Sequence, residues 1–401
     1  MKTSDTSPKG LPSGVRPRTQ LVHGGTSRSQ NDETSEALYM TSGYVYGSAE
    51  EAEAAFATDG LRYVYSRFAN PTVSMFERRL AEYEGAPRCW ATSSGMSAVF
   101  AALMCQVRAG DRVVAPRALF GSCLHIIKNL LPLYGVEAVL VDGADLGQWR
   151  EALSRPTRAV FIESPSNPML ELVDLQAVAD LAHAAGALVI VDNVFATPVL
   201  QRPLTLGADV VVYSATKHID GQGRSLGGAI LADEKFGELL GPFLRHTGPA
   251  LSPFNAWLLL KGLETLELRV AAQVANAEQV ARFLEGHRAV RRVVYPGLES
   301  HPQAALARRQ MSGGGTLVAF EIAGGKAEAF RAMNALRVIR ISNNLGDAKS
   351  LITHPATSTH AKVSDEDKAK VGIGPASLRL SVGLEDPRDL IDDLERALAA
   401  A

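Results

Sequence analysis

Short runs rich in β-branched residues alternate with segments of helical periodicity through the first half of the chain. The strand-like runs are Asp111–Ala115, Val136–Val141, Ala159–Glu163, Ala187–Asp192 and Asp209–Tyr213. The helix-like segments are Ser97–Val107, Cys123–Leu131 and Leu175–Ala185. This alternation predicts an α/β fold with a largely parallel sheet covered by helices. The runs are almost continuously apolar, as expected of strands that are buried on both faces.

The pattern changes near Pro253, where one long helix is predicted from residue 254 to residue 287. The elements beyond it are strand-like Gly315–Ile322, helical Lys326–Leu336, strand-like Ser377–Val382 and a final amphipathic helix from Pro387. Such a mixture suits a smaller α+β domain. A chain of 401 residues is also too long for one ordinary core. We therefore predict an N-terminal arm and intersubunit segment at 1–70, a ligand-binding α/β domain at 71–256 and a C-terminal α+β domain at 257–401.

Bulk composition argues against several classes of function. The formal net charge is −2, so the chain has no excess positive charge that would attract it to nucleic acid or to an anionic membrane. The three cysteines lack C-x-x-C spacing, which favours reduced thiols and predicts no metal site. The polar N-terminus has no apolar core of a secretory signal and is expected to be disordered, and no apolar run reaches the roughly 18 residues of a membrane span. We expect a cytoplasmic protein without nucleic-acid or membrane partners.

Unusual polar residues stand where the predicted parallel strands end. Glu163 and Asn167 follow one strand, Asp192 ends the next, and Ser214–Lys217 follows a third. In an open α/β sheet, ligands bind outside the carboxyl ends of the strands. Taken alone, Lys217 would be an exposed lysine, because burying an unpaired ammonium is costly. Its place at this edge favours a role in a ligand site instead.

Three further signals each allow a structural and a functional interpretation. Ser94 and Gly95 precede a helix that starts near Met96, and this helix N-terminus is either an ordinary cap or a phosphate site. Asp192 is either a structural ion-pair residue or the partner of a ligand cation. Arg379, in a strand with apolar neighbours, is either a surface residue or a bidentate carboxylate clamp.

One cofactor, pyridoxal 5′-phosphate (PLP), uses all of these groups together. It needs a lysine for a Schiff base, an acid for its pyridine nitrogen, and a phosphate cup made of a helix N-terminus and hydroxyl groups. An amino-acid substrate adds the need for an arginine. We therefore predict PLP as the cofactor and small molecules as the partners.

Six segments resemble the Cys/Met-metabolism family of PLP enzymes. They are "YSRFANPTVSMFERRLAEYEGA", "SSGMSAV", "FIESPSNP", "VDNVFATP", "SATKHIDGQGR" and "SLRLSVGLED", and the likeness runs from about Thr19 to Arg388. The resemblance implies the aspartate-aminotransferase-like fold (fold type I), with a mostly parallel sheet, helices on both faces and a smaller α+β C-terminal domain. It also implies a homotetramer built as a dimer of dimers.

Three more segments resemble the family members that attach sulfur to an activated homoserine: "DGQGR", "GPALSPFNAWLLLKGLETLELR" and "ISNNLGDAKSLITHPATSTH". They imply a γ-replacement in methionine biosynthesis, in which O-succinyl-L-homoserine and hydrogen sulfide give L-homocysteine and succinate. The alternatives within the family are cystathionine γ-synthase, which uses cysteine as the thiol, and O-acetylhomoserine sulfhydrylase. A non-catalytic regulator is disfavoured, because the lysine, aspartate and arginine candidates are all present.

The resemblance also implies roles for single residues. Lys217 would hold the cofactor as a Schiff base and then shuttle protons, and Asp192 would pair with the pyridinium. Arg379 would bind the substrate α-carboxylate, and Asn167 would contact that carboxylate or the phenolic oxygen of the cofactor. Phosphate-binding roles are implied for Gly95, Met96, Ser214, Thr216 and, reaching across from a neighbouring subunit, Tyr65 and Arg67.

The chain departs from the family pattern at two positions. Phe120 stands where many relatives have a tyrosine over the cofactor ring, so stacking is expected without a proton-transferring hydroxyl. Asn344 stands where many relatives have a serine, and we expect it near the substrate. Cys123 and His125 lie two apart on a predicted helix, so we expect a core cysteine and a surface histidine rather than a nucleophile and its base. For His354, a pocket role and a turn role both stay open.

Overall fold

The computed structural model describes residues 11–12, 14–58 and 60–401. The lead-in predicted to be disordered spans residues 1–20, of which residues 1–10 and 13 lie outside the described residues. Residues 17–20 are helical, so the prediction is wrong for them. The described helices are α1 (Pro17–His23), α2 (Ala49–Ala57), α3 (Pro71–Glu84), α4 (Gly95–Met104), α5 (Gly121–His125), α6 (Leu131–Leu133), α7 (Leu146–Ala152), α8 (Leu175–Ala184), α9 (Thr197–Leu200), α10 (Glu234–Thr247), α11 (Pro253–Glu264), α12 (Leu266–Gly286), α13 (Ala304–Gln310), α14 (Lys326–Ala335), α15 (Asp365–Lys370) and α16 (Pro387–Ala399). Short 3₁₀ segments lie at Pro203–Leu206 and Pro355–Thr357.

The first sheet is built from strands of the N-terminal half. They are β1 (Arg88–Thr92), β2 (Arg112–Pro116), β3 (Glu137–Val141), β4 (Ala159–Glu163), β5 (Leu188–Asp192), β6 (Val210–Ser214) and β7 (Gly228–Ala232). Their order across the sheet is β1-β7-β6-β5-β4-β2-β3. Strand β7 is antiparallel to both of its neighbours, while the pairs from β6 to β3 are parallel. The predicted mostly parallel sheet is confirmed.

Alternating residues of the central strands pack into separate cores on the two faces of this sheet. Phe161 and Ile190 belong to a cluster that includes the apolar side of α4. Val160 and Ile162 point the other way, into a cluster with α7 and α8. Because both faces are covered, these strands need apolar residues at nearly every position, which explains their continuous apolar runs.

A second, smaller sheet lies in the C-terminal part of the chain. Its strands are β8 (Val290–Val294), β9 (Leu317–Ile322), β10 (Arg340–Ile341), β11 (Leu351–Thr353) and β12 (Ser377–Ser381), in the order β10-β11-β12-β9-β8. Phe320 and Leu378 pack with Val280 of α12 and Leu394 of α16. The predicted α+β character of this part is confirmed, whereas the domain boundaries placed at residues 70 and 256 stay predictions.

The single helix predicted from 254 to 287 is wrong, because α11 and α12 are separated at Thr265, where φ is −111° and ψ is 5°. In an unbroken helix the carbonyl of Gly262 would accept the amide of residue 266. Here that carbonyl accepts a hydrogen bond from Arg269 Nη2 at 2.8 Å, and Arg269 Nε donates to Thr265 Oγ1 at 3.1 Å. Side-chain hydrogen bonds of Arg269 therefore replace the backbone bonding of a continuous helix at this point.

The helix predicted over Cys123–Leu131 occupies the right place but is not a uniform α-helix, because Ile126–Leu130 is π-helical. None of the helices in the described part of the chain combines the length and the apolar character that crossing a bilayer requires.

Candidate active site

A cavity of about 250 Å³ opens at the carboxyl ends of the parallel strands. Glu163 ends β4, Asp192 ends β5 and Ser214 ends β6, and all of them line this cavity. The register of the sheet pairs Glu163 directly with Asp192. Residues distant in sequence meet here because parallel strands finish at one edge.

Most of the predicted site residues lie around this cavity. Its lining includes Gly95, Met96, Phe120, Asn167, Asp192, Ser214, Thr216, Lys217 and Arg379. Asn344 adjoins the site through its side-chain oxygen, which accepts a hydrogen bond from Lys217 Nζ at 2.6 Å.

Tyr65 and Arg67 are not brought to the cavity of their own chain. Both are exposed, and they line a shallow groove with Met40 and Pro253. The guanidinium of Arg67 lies 5.3 Å from the ring centre of Tyr65 and donates to the carbonyl of Arg245. Within a single chain, these two side chains therefore lie outside the cavity.

Lys217 sits in a turn directly after β6, with its amide donating to the carbonyl of Ser214 at 3.1 Å. The side chain is largely buried, which excludes the interpretation as an ordinary surface lysine. Burial, together with the nearby positive charge of Arg379, lowers the pKa of Lys217 to about 8. A substantial fraction of the amine is thus neutral near pH 8 and can act as a nucleophile or a base.

Asp192 is a buried carboxylate without a cationic partner among the described residues. Its Oδ1 accepts a hydrogen bond from the amide of Val194 at 3.0 Å. Burial raises the pKa of Asp192 to about 7. A carboxylate held in this way favours any ligand that brings a positive charge into the cavity, because such a charge stabilises its ionised form.

The N-terminus of α4 meets the end of β6 at the floor of the cavity. Ser94 caps the helix by accepting the amide of Ser97 at 3.1 Å, and the amides of Gly95 and Met96 have no partner within the helix. A Cβ atom on Gly95 would lie only 2.5 Å from Ser214 Cβ. The absence of a side chain at Gly95 therefore lets helix amides and strand-end hydroxyls converge, which is an arrangement that binds phosphate.

Arg379 lies in β12 and is fully buried, so the interpretation as a surface residue is excluded. Its Nη1 donates to Asn167 Oδ1 at 2.8 Å, and its Nη2 donates to the carbonyl of Asn343 at 3.0 Å. Its Nε has no hydrogen-bond partner within the described structure. Burial lowers the pKa of Arg379 to about 10, against the opposing effect of Glu163. The guanidinium stays charged, and its Nε is a buried donor without a partner in the described structure.

The ligand atoms of Cys123, Glu163 and Asp192 lie within 4.8 Å of one another, a spacing that a metal ion could bridge. Both oxygens of Glu163 already accept backbone amides, from Phe120 and from Asn167. Burial raises the pKa of the Cys123 thiol well above its usual range, so the thiolate that a metal needs is disfavoured. Only Asp192 remains open, which suits an organic cation better than a metal.

Neither His125 nor His354 lines the cavity. His125 is exposed while Cys123 is buried, as expected of residues two apart on a helix. His354 is buried, with Nδ1 and Thr357 Oγ1 2.9 Å apart and Nε2 2.9 Å from the carbonyl of Pro375. These contacts give His354 the turn role.

The cavity thus combines a partly neutral lysine, an unpaired buried carboxylate, an anion cradle and an open guanidinium edge, and these groups fit PLP. A family model described as "Cys/Met metabolism PLP-dependent enzyme" matches residues 18–399. The chain belongs to this family. Its cofactor is PLP, as predicted.

Relatives in the Cys/Met metabolism family support the same placement. An O-succinylhomoserine sulfhydrylase of Mycobacterium tuberculosis is 58% identical over 99% of this chain and 99% of its own. One from Pseudomonas aeruginosa is 49% identical, with 95% of each chain covered. The crystal structure of cystathionine gamma synthase from Xanthomonas oryzae pv. oryzae, in complex with aminoacrylate and cysteine, matches with a TM-score of 0.92 and 35% identity over 96% of this chain and 98% of that one. The predicted fold type I is confirmed.

Sequence reasoning missed several residues that line the cavity. Val194 and Phe195 come two and three residues after Asp192, and their place after a strand end could have indicated them. Leu226, Asn343 and Thr359 come from loops, and no periodicity in the sequence points to them.

Proposed function

We propose that this chain is a PLP-dependent γ-replacement enzyme that converts O-succinyl-L-homoserine and hydrogen sulfide to L-homocysteine and succinate in methionine biosynthesis. The observation that carries the proposal is the 58% identity, over 99% of both chains, to a relative named O-succinylhomoserine sulfhydrylase. The cavity supports this proposal, because its residues include groups suited to each step of the γ-replacement. The bond between the γ-carbon and the succinyl oxygen breaks, and a bond from sulfur to the γ-carbon forms.

Bound PLP supplies an electron sink that makes the α- and β-hydrogens of an attached amino acid acidic. Lys217 would hold the cofactor through its amine, and the same amine, once released, would take a proton from the α-carbon of the substrate and next from the β-carbon. A pKa of about 8 suits this work, since the amine must both accept and return protons near neutral pH. Asn344 Oδ1 lies 2.6 Å from Nζ and fixes the direction of the amine.

Asp192 and the α4 cradle hold the two ends of the cofactor. A pyridinium beside Asp192 would lower the pKa of that carboxyl from about 7, so that the ionised form would pair with the ring cation. The amides of Gly95 and Met96, with the hydroxyls of Ser214 and Thr216, bind the phosphate.

Arg379 binds the α-carboxylate of the substrate through its open Nε edge, and Asn167 holds the other side of the guanidinium. Phe120 lines the cavity and would pack against the face of the cofactor ring, to which it offers no hydroxyl. Proton transfer at the reacting carbons is therefore left to Lys217. Asn344 lies close enough to this amine to contact the substrate as well.

We also infer that two chains share each site and that two such dimers form a tetramer. Within the described residues, the cations that line the cavity are Lys217 and Arg379, and neither belongs to the phosphate cradle. A dianionic phosphate therefore lacks a cationic partner in a single chain. Arg67 and Tyr65 are exposed away from their own cavity, which suits a role at the site of a neighbour. A cytoplasmic location is supported by the three cysteines, all of which are free thiols.

Subunit complementation tests the shared site. Arg67→Ala and Lys217→Ala chains, each inactive alone, are mixed under conditions that allow exchange. A mixed dimer places both defects in one site and leaves the other intact, so activity is expected to return in part. Confirmed exchange without any return of activity would show that each chain builds its own site. Light scattering on the native protein measures whether the assembly is a tetramer.

Steady-state rates with matched substrate pairs test the reaction itself. The purified protein is given O-succinyl- or O-acetyl-L-homoserine, each with sulfide or with cysteine, and the products are identified by mass spectrometry. We expect the highest kcat/KM with the succinyl ester and sulfide, and homocysteine as the product. A preference for cysteine, with cystathionine as the product, would assign the chain to cystathionine synthesis instead. A preference for the acetyl ester would overturn the proposed acyl group.

A further inference from the structure

Glu163 is a buried acidic residue at the cavity to which the reaction assigns no task. It ends β4 beside Asp192, and only 3% of its surface is exposed. Burying two carboxyl groups next to one another is unfavourable, and structures keep such an arrangement only where hydrogen bonds compensate for it. The contacts of Glu163 therefore indicate what it does.

Both oxygens of Glu163 accept backbone amides. Oε2 accepts the amide of Phe120, and Oε1 accepts the amide of Asn167, each at 2.7 Å. Any proton on this carboxyl group would have to point away from both amides, because each amide is itself a donor. Glu163 thus acts as a clamp between two loops, one before α5 and one after β4.

The two residues held by Glu163 work on different parts of the ligand. Phe120 lines the cavity where the cofactor ring is expected, and Asn167 accepts the hydrogen bond from Arg379 Nη1 at 2.8 Å. A chain of contacts therefore runs from Phe120 through Glu163 and Asn167 to Arg379. The side chain of Glu163 therefore fixes the distance between the ring of Phe120 and the guanidinium of Arg379.

We propose that Glu163 is a positioning residue that holds Phe120 and Asn167 at once, so that cofactor ring and substrate carboxylate are kept in register. This inference rests on the proposed function for its substrate but not for its geometry. It predicts that an amide cannot replace the carboxylate. Glutamine has one acceptor oxygen and one NH₂ donor, so in either orientation the NH₂ group faces a backbone N–H.

The test compares Glu163→Gln with Glu84→Gln. Glu84 is a matched control, because it is also a buried carboxyl group but Oε2 accepts only the Tyr213 hydroxyl, at 2.8 Å, and Oε1 has no partner within the described structure. An amide fits there without a clash of donors. For Glu163→Gln we expect KM for O-succinylhomoserine to rise roughly 10-fold or more, because a buried amide N–H loses its acceptor.

A second readout needs no turnover. The visible circular dichroism of bound PLP reports how its ring is held, and we expect Glu163→Gln to change this band in the absence of substrate, while Glu84→Gln leaves both the band and KM unchanged. Wild-type KM and an unchanged band in Glu163→Gln would overturn the inference. Equal effects in the two variants would overturn it too, since they would reflect buried amides in general. An altered band in a protein that turns over no activated homoserine would refute the proposed function alone.

The route through Asn167 is tested by a double-mutant cycle with Asn167→Ala. If Glu163 acts through Asn167, the rise in KM for the double variant should be clearly smaller than the product of the two single effects. A full product would contradict that route. If Glu163→Gln does not fold, Glu163→Asp takes its place. It keeps both acceptors but is one methylene too short to reach both amides, so a raised KM is again expected and a wild-type KM would overturn the inference.

Discussion

Replacing Gly95 by alanine tests how tightly the phosphate cradle is built. The new Cβ would lie 2.5 Å from Ser214 Cβ and 2.8 Å from Ser214 Oγ. Carbon atoms in contact are normally about 3.5–4.0 Å apart, so the helix N-terminus must move away from the strand end by roughly 1 Å. Overpacking of this kind costs about 1–3 kcal/mol. If the strain falls on the cradle, binding of PLP becomes roughly 5- to 150-fold weaker.

The assay is a titration of cofactor-free protein with PLP, followed by absorbance or by quenching of intrinsic fluorescence. Gly286→Ala is the matched control, because Gly286 ends α12 in the exposed part of the chain and an added Cβ there meets nothing within 4 Å. The control should bind PLP as the wild type does. A Gly95→Ala variant with wild-type affinity would refute the view that α4 and β6 together form the phosphate site.

Three further outcomes follow from the charged groups. Asp192→Asn should slow turnover by orders of magnitude, and above pH 7 it should raise the melting temperature of the cofactor-free protein. The reason is that the pKa of Asp192 is raised to about 7, so the wild type loses stability as pH rises through that value and the carboxyl group ionises while buried; equal melting curves at pH 8 would contradict this. Arg379→Lys should raise KM for the activated homoserine roughly 10- to 100-fold with little change in PLP affinity, since the planar fork is lost; unchanged kinetics would place the clamp elsewhere. In cofactor-free protein the acylation rate of Lys217, followed by peptide mass spectrometry, should rise with a midpoint near pH 8 because burial lowers the pKa to about 8, and a midpoint near the usual 10.5 would contradict the observed burial.

The ends of the central strands could be predicted closely, because the polar residues at which these strands end also form the site. The predicted and observed limits of β4 coincide at Ala159–Glu163, those of β5 differ by one residue at the start, and those of β6 are shifted by one residue at both ends. Both faces are buried, so the apolar run stops only where the strand reaches the ligand edge. By contrast β7 was missed, because it begins with Gly228 and its antiparallel direction leaves no mark in the composition.

The candidate site could be assembled from sequence only where its residues follow strands or begin helices. Asp192, Ser214 and the N-terminus of α4 could be predicted, since the edge of a parallel sheet brings them together. The path of a loop has no such rule, which is why Thr359 was missed. The paired amides on Glu163 depend on backbone positions in two loops and could not be predicted from side-chain types.

The break between α11 and α12 is a second feature that the sequence pattern could not predict. Residues 254–287 have the periodicity of one long helix, yet Arg269 takes the carbonyl of Gly262 and also donates to the carbonyl of His218 at 2.7 Å, directly after Lys217. Local preference cannot anticipate a hydrogen bond from a side chain to a distant loop.

The identity of the lysine that carries PLP is tested most directly by borohydride reduction of the purified holoenzyme. Reduction fixes the cofactor to its lysine, and digestion followed by peptide mass spectrometry locates the pyridoxyl group. We expect the yellow protein to bleach, with the added mass on the peptide that contains Lys217, and we expect Lys217→Ala to retain no fixed cofactor. A pyridoxyl group on any other lysine, or one fixed to Lys217→Ala, would contradict the assignment of the cavity at the carboxyl edge of the first sheet as the active site.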